Sequence, residues 1–310
     1  MNRFVLVDCT TVDGALSQLN DGAVVKVGGV DLLDRMKNGT STPSRLVNIR
    51  NISELRGIHP TPQGMTIGVL TTLTEISDHP LLQSQYTILS DACGSAATPH
   101  IRNMASLGGN LLQELQCWYF RSDEYQCLRK GKEICFAFAG LNQYHAIMDY
   151  GTCPAVAPSS AAVALLGLNA SVELTSARRG KRTVAIQDLY VHPDANPTKL
   201  NVLEPDELLT AVTIPQPAPG TRSAYQKYGE KRSNDWPSPT QAWCWRWRAT
   251  SAARPPSRWV RLRQLCGGRR RPKPCWWANP LPRRPRALRE RRPCRARYPR
   301  PPCRAPSRFP

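Results

Sequence analysis

Apolar positions in the N-terminal part of the chain switch between helical and extended spacing in short runs. Thr11-Val12-Asp13-Gly14-Ala15-Leu16-Ser17-Gln18-Leu19 reads as a short amphipathic helix capped by Thr11. The apolar run at 23–27 predicts a buried strand. Gly28-Gly29-Val30 then turns the chain, and residues 31–38 restart it as a helix ended by Gly39. A strand at 46–49 completes a small βαβ unit over roughly 23–50. Ile58 and residues 65–69 predict hairpin strands around Pro60-Thr61-Pro62-Gln63-Gly64. Helices follow at 72–77 and about 81–96, and the second delivers the chain to a turn at Pro99. Later, Ser159-Ser160 caps an Ala/Leu helix running through Leu168. Strands are expected at 171–174 and 184–186, at 207–214 closed by Pro215, and from Ser223 onward. The pattern stops after Trp236-Pro237, and the mixture places the chain in the α+β class.

Composition changes the picture mainly at the C-terminal end. The chain has 310 residues and a formal net charge of +19, which by itself points to nucleic acid. Residues 238–310, however, hold 21 of the 42 basic residues and a single acid, Glu290, so the rest of the chain is close to neutral. That tail also carries half of the 28 prolines, six of the eight tryptophans and five of the 11 cysteines. Proline at this density works against helix and sheet bonding, so the tail is expected not to fold. Its vocabulary of Arg, Pro, Ala, Trp and Cys is that of GC-rich DNA read out of frame, and a frameshift product is the expectation here. No signal peptide is expected at the start, because Asp8 interrupts the apolar run, and no run approaches the length of a membrane span. Cysteines in the body suit a reduced compartment.

The candidate chemistry lies in two glycine turns and four cysteines. Strand, Gly28-Gly29, helix is an arrangement that aims free N–H groups and a helix N-terminus at a phosphate. It lacks the G-x-G-x-x-G dinucleotide fingerprint. The second turn, Ser106-Leu107-Gly108-Gly109-Asn110, also offers bare glycine amides to an anion. Close behind it stand Cys117, Cys127, Cys135 and Cys153, soft ligands open to three readings: buried hydrophobes, a zinc site or an iron–sulfur cluster. Their spacing lacks a tight C-x-x-C pair. Arg121, Arg129, Lys130 and Lys132 can offset negative charge there, while Trp118, Tyr119 and Phe120 can exclude water. His145 is expected to be a turn or core histidine, Cys9 and Cys93 structural, and the 178–182 basic cluster a solvated hairpin tip.

Two motifs carry a family resemblance. Val25-Lys26-Val27-Gly28-Gly29-Val30-Asp31-Leu32-Leu33 and Ile101-Arg102-Asn103-Met104-Ala105-Ser106-Leu107-Gly108-Gly109-Asn110-Leu111 resemble the two FAD segments of the flavoprotein (medium) subunits of molybdenum hydroxylases. The cysteine segment resembles the aldehyde oxidoreductase branch, whose medium subunit carries a 4Fe–4S cluster beside FAD. The resemblance covers residues 4–237. It implies a two-subdomain FAD-binding fold of the PCMH (vanillyl-alcohol-oxidase) type with a truncated or scrambled C-terminal domain. The implied divisions are 1–55, 56–220 with a 4Fe–4S insertion at 111–155, the start of a C-terminal domain at 221–237, and the aberrant tail at 238–310.

By the same resemblance, Lys26, Val27, Gly28, Gly29, Val30 and Leu32 line the first FAD segment, and the amides of Gly28, Gly29 and Val30 wrap the pyrophosphate. Ser106, Gly108 and Gly109 join them, Asn110 holds the second turn, and Asp31 caps the helix behind the first. Lys227 matches a position near the flavin. Ser160 stands where relatives often carry an acid that meets FAD, and brings no charge. Cys117, Cys127, Cys135 and Cys153 ligate the cluster. No catalytic residue is expected in the chain itself. The implied role is electron relay, with a small 2Fe–2S subunit and a large molybdenum-cofactor subunit as partners. Residence would be cytoplasmic, or periplasmic if a signal-bearing partner exports the complex. The alternatives are a stand-alone flavin oxidase or reductase of the same fold and a basic-tail nucleic-acid binder.

Overall fold

The computed structural model describes residues 1–20, 22–146 and 151–227, together with the backbone of 240–246. The chain opens with strand β1 (Val5–Asp8), helix α1 (Val12–Gln18), strand β2 (Ala23–Lys26), helix α2 (Val30–Lys37) and strand β3 (Arg45–Asn48). These strands form a parallel sheet in the order β1-β3-β2. The sequence pattern anticipates the βαβ unit but not β1, which pairs along Val5–Asp8 although its side chains lie largely open. Thr11 caps α1 as expected, accepting from the Gly14 amide at 3.1 Å.

A second sheet is antiparallel. Its strands are β4 (Ile58–Thr61), β5 (Gly64–Gly68), β6 (Ser171–Ser176), β7 (Gly180–Ala185) and β8 (Glu207–Pro215), in the order β4-β5-β8-β6-β7. Helices α3 (Leu73–Asp78), α4 (Pro80–Gln85) and α5 (Thr87–Gly94) follow β5, then α6 (Pro99–Arg102) and α7 (Leu107–Leu111). The single helix expected over 81–96 is therefore two. The break at Tyr86 (φ −129°, ψ 42°) lets that ring enter the core, where it is fully buried. Further on come α8 (Trp118–Arg121) and α9 (Ser160–Gly167). One hydrophobic core joins both sheets, running from Ala15 and Val47 through Ile67, Leu89 and Leu165 to Val212 and Ile214. Burial of this kind, at roughly 25 cal/mol per Å² of apolar surface, supplies the main driving force.

Strand β9 (Thr221–Lys227) pairs antiparallel with β10 (Thr240–Arg246). The expectation of a tail without structure from 238 on thus fails for seven residues. A hairpin ladder is made by backbone groups and asks little of side-chain identity. The remainder of the tail, and the frameshift reading with it, lies outside the described residues. The basic tip between β6 and β7 is also less free than expected: Arg182 meets the buried Glu207 at 2.7 Å, and Arg179 pairs with Asp206.

Candidate functional site: two glycine turns and a four-cysteine insertion

The first turn sits at the carboxyl end of β2, the edge of a parallel sheet where ligands of α/β units gather. Gly29 is the N-cap of α2 with φ +77°, a left-handed conformation that suits glycine. That cap has no side chain to accept from the first helical amides. Among the described residues no acceptor meets the amides of Gly28, Gly29, Val30, Asp31 or Leu32. Five consecutive unsatisfied donors, with the positive end of a helix behind them, form an anion cradle. Lys26 turns its Nζ onto the Val27 carbonyl at 3.1 Å, beside the cradle, and Leu32 anchors α2 in a small core with Met36 and Leu46.

The second turn is tied to the other sheet. Leu107 N donates to Thr71 O and Gly108 N to Val69 O, both at 2.9 Å. Ser106 caps α7 by accepting from Gly109 N at 3.2 Å, and Asn110 N bonds Ser106 O at 2.9 Å. Its amides are thus already engaged, in contrast to those of the first turn. Asn110 does hold the turn: its Oδ1 accepts from Ser159 Oγ at 2.8 Å, which links α7 to the start of α9. The two turns meet at Gly28. A Cβ there would lie 2.5 Å from the Met104 carbonyl oxygen, so only glycine permits this approach.

Two expected caps change. Asp31 does not cap α2. It accepts from Glu114 N at 3.1 Å and Gln116 Nε2 at 3.4 Å, and pairs with Arg121. Its place one turn-position inside the helix points it outward, onto the insertion. At α9 the capping hydroxyl is Ser159, which accepts from Ala162 N at 3.0 Å, while Ser160 is the first helical residue. Lys227 donates to Ser95 O at 3.4 Å, at the C-terminal end of α5.

Arg121 joins the turn to the insertion. Besides Asp31 it reaches Asp34 at 3.4 Å, Leu115 O at 2.7 Å and Glu114 O at 3.1 Å. Burial pushes the neighbouring Glu114 carboxyl up in pKa, against the pull of Arg35 at 3.8 Å. Replacing Arg121 with leucine strands the Asp31 carboxylate beside two backbone carbonyls that lose their donor. The expected cost is on the order of 2 kcal/mol of stability, read as a lowered midpoint in thermal unfolding. An unchanged midpoint would show that the link contributes nothing to stability.

Cys117, Cys127, Cys135 and Cys153 line one small cavity, together with Tyr119, Phe120, Leu128, Arg129, Phe136 and Ala155. All four are free thiols. Cys117, Cys127 and Cys135 each stand immediately before a helical turn: α8, Leu128–Lys130 and Phe136–Phe138. Burial pushes Cys117 up to about 11, which the amides of Phe120 and Tyr119 oppose and the nearby Cys153 and Cys127 reinforce. Cys135 is raised by burial as well. Among the described residues no three His, Cys, Asp or Glu side chains form a group that could hold a metal ion.

The surroundings are sorted by the fold. Of the cations expected here, only Arg129 lines the cavity. It is buried and forms no ion pair among the described residues; Nη1 donates to Pro197 O at 3.2 Å and Nε has no partner. Arg121 serves Asp31 instead, Lys130 bonds the Ser122 and Tyr125 carbonyls, and Lys132 is exposed. Trp118 lies on the outside at 40% exposure, and Phe136 takes the lining place expected of it. His145, expected to be a simple turn histidine, puts Nε2 3.2 Å from Cys117 Sγ. No sequence signal pairs these residues across 28 positions. Cys93, raised to about 12 by burial, and Cys9 sit in the main core, as expected.

Comparison with known proteins bears on this arrangement directly. The FAD-binding domain found in molybdopterin dehydrogenases matches residues 2–217. The chain belongs to that family. It is an FAD-dependent oxidoreductase subunit. It is 34% identical over 228 residues to the aldehyde oxidoreductase FAD-binding subunit PaoB of Escherichia coli, covering 72% of this chain and 71% of that one. With the carbon monoxide dehydrogenase medium chain of Hydrogenophaga pseudoflava it shares 24% identity, over 71% of this chain and 60% of the relative. The chain thus spans well under two thirds of several family members. Among solved structures, reconstituted CO dehydrogenase from Oligotropha carboxidovorans superimposes with a TM-score of 0.60 at 25% identity, over 80% of this chain and 71% of that chain. No helix among the described residues is long and apolar enough to cross a membrane.

Proposed function

We propose that the chain is the electron-relay flavoprotein of a molybdenum-containing aldehyde- or xanthine-type oxidoreductase, with FAD at the first glycine turn and a 4Fe–4S cluster on Cys117, Cys127, Cys135 and Cys153. The observation that carries the cluster is the set of four thiols around one cavity that a buried Arg129 also lines, an Arg that forms no ion pair among the described residues. A desolvated guanidinium is costly unless an anion faces it, and a thiolate-ligated cluster is such an anion. A single zinc ion fits less well, since the thiols surround the cavity without forming a compact ion-binding group.

When bound, FAD would supply the change between one- and two-electron transfer, and a 4Fe–4S cluster one-electron exchange. The chain's contribution is position and charge. Gly28, Gly29, Val30, Asp31 and Leu32 present their amides to the pyrophosphate. Asn110 and Ser159 tie the second turn to α9, and Lys227 bonds the Ser95 carbonyl. Arg121 fixes the cysteine insertion to α2, so that both sites share one rigid connection. Tyr119, Phe120 and Phe136 keep water from the cavity. Substrate oxidation belongs to a large molybdenum-cofactor partner, with a small 2Fe–2S partner delivering electrons to this chain.

The test is flavin, iron and sulfide content of the full chain, co-expressed with its partner subunits and purified anaerobically. One FAD and four iron per chain, with a flavin spectrum on a broad brown shoulder, is the expected result. Zinc in the cysteine site, or no metal at all, would remove the cluster. Absence of flavin would remove the relay.

A further inference from the structure

His145 stands apart from the machinery above and touches one member of it. Its Nε2 lies 3.2 Å from Cys117 Sγ. The position is built rather than incidental. Leu141 O accepts from Trp118 Nε1 at 3.1 Å, and Leu141 N donates to Tyr119 Oη at 2.6 Å. Asn142 Nδ2 bonds Ala137 O at 2.9 Å, and His145 N bonds Asn142 O at 2.9 Å. Ala146 N then reaches Pro154 O at 2.8 Å, next to Cys153. The 139–146 segment is strapped to the residues directly after Cys117, and this holds the imidazole against the sulfur.

A metal-bound thiolate can only accept a hydrogen bond, so the nitrogen facing it must be the one that carries the proton. Hydrogen bonds to an ionised acceptor are roughly twice as strong as neutral ones. Resting on the 4Fe–4S reading, we propose that His145 is a positioning and tuning residue, donating Nε2–H to Cys117 Sγ and raising the reduction potential of the cluster. The sign follows from charge. One electron makes the cluster and its thiolates one unit more negative, and a fixed donor at a sulfur favours that reduced form.

The experiment is a redox titration of the co-expressed complex, followed by the electron paramagnetic resonance signal of the reduced cluster. Wild type is compared with His145→Leu, which has no donor, and His145→Gln, which keeps an N–H. For His145→Leu the expected result is unchanged iron content with a potential lowered by the equivalent of a roughly tenfold change in the one-electron equilibrium, about 59 mV. His145→Gln should recover part of that shift. Full iron in both variants with potentials equal to wild type would overturn the tuning role while leaving the cluster standing. Equal shifts in both variants would overturn it too, since loss of packing alone would then account for them. A wild-type complex without iron would overturn the underlying reading and this inference with it. Iron lost from His145→Leu alone and retained in His145→Gln would support the donor role, as a contact the site needs to assemble.

Discussion

Cys127→Ser is expected to strip iron and acid-labile sulfide from the complex while leaving most of its flavin. Cys127 is 5% exposed and lies on the same cavity as the other three thiols, so a lost ligand there cannot be replaced by water without opening the site. Serine oxygen is a harder, more weakly acidic donor than sulfur and a poor substitute for a thiolate in an iron–sulfur site. The flavin turn should survive because its tie to the insertion runs through Arg121, Glu114 N and Gln116 rather than through the cysteines. Iron analysis and the resonance signal of the reduced protein read the first effect, and flavin absorbance the second. Wild-type iron in the serine variant would exclude Cys127 as a ligand.

The second large effect is expected at the contact between the turns. Gly28→Ala places a methyl group 2.5 Å from the Met104 carbonyl oxygen, a backbone atom that cannot swing aside as a side chain would. Either the two turns separate or the cradle distorts. Overpacking of this kind costs about 1–3 kcal/mol. Charged to binding, that is roughly a five- to 150-fold weaker hold on FAD. Gly109→Ala makes the useful control, since its new Cβ meets only the Ser106 hydroxyl at 3.1 Å. Flavin affinity measured on apoprotein refilled with FAD should therefore fall much further for Gly28→Ala than for Gly109→Ala. Equal losses would place the pyrophosphate nearer the second turn than the first.

Both predictions draw on features of different legibility. The strand, the paired glycines and the following helix at 23–37 are local, and local propensity with turn chemistry makes them readable from residues alone. The same holds for Thr11 and Ser159 as caps, because a hydroxyl three residues ahead of an amide is a short-range device. The four cysteines were likewise visible as a set, though not as one cavity.

What the chain could not disclose by itself is which partner each polar group takes across long separations. Asp31 reads as a helix cap, yet Arg121, 90 positions away, claims it. Gly108 and Gly109 read as free amides, yet Val69 and Ser106 use them. Four basic residues near the cysteines look equivalent in sequence, and only Arg129 faces the cavity. Local sequence determined where the turns, caps and soft ligands lie, because those depend on neighbours within a few residues. Tertiary structure decided which amides stay unsatisfied among the described residues and which cation lines the cysteine cavity. Those outcomes depend on what else is buried nearby, and burial is a property of the packed whole.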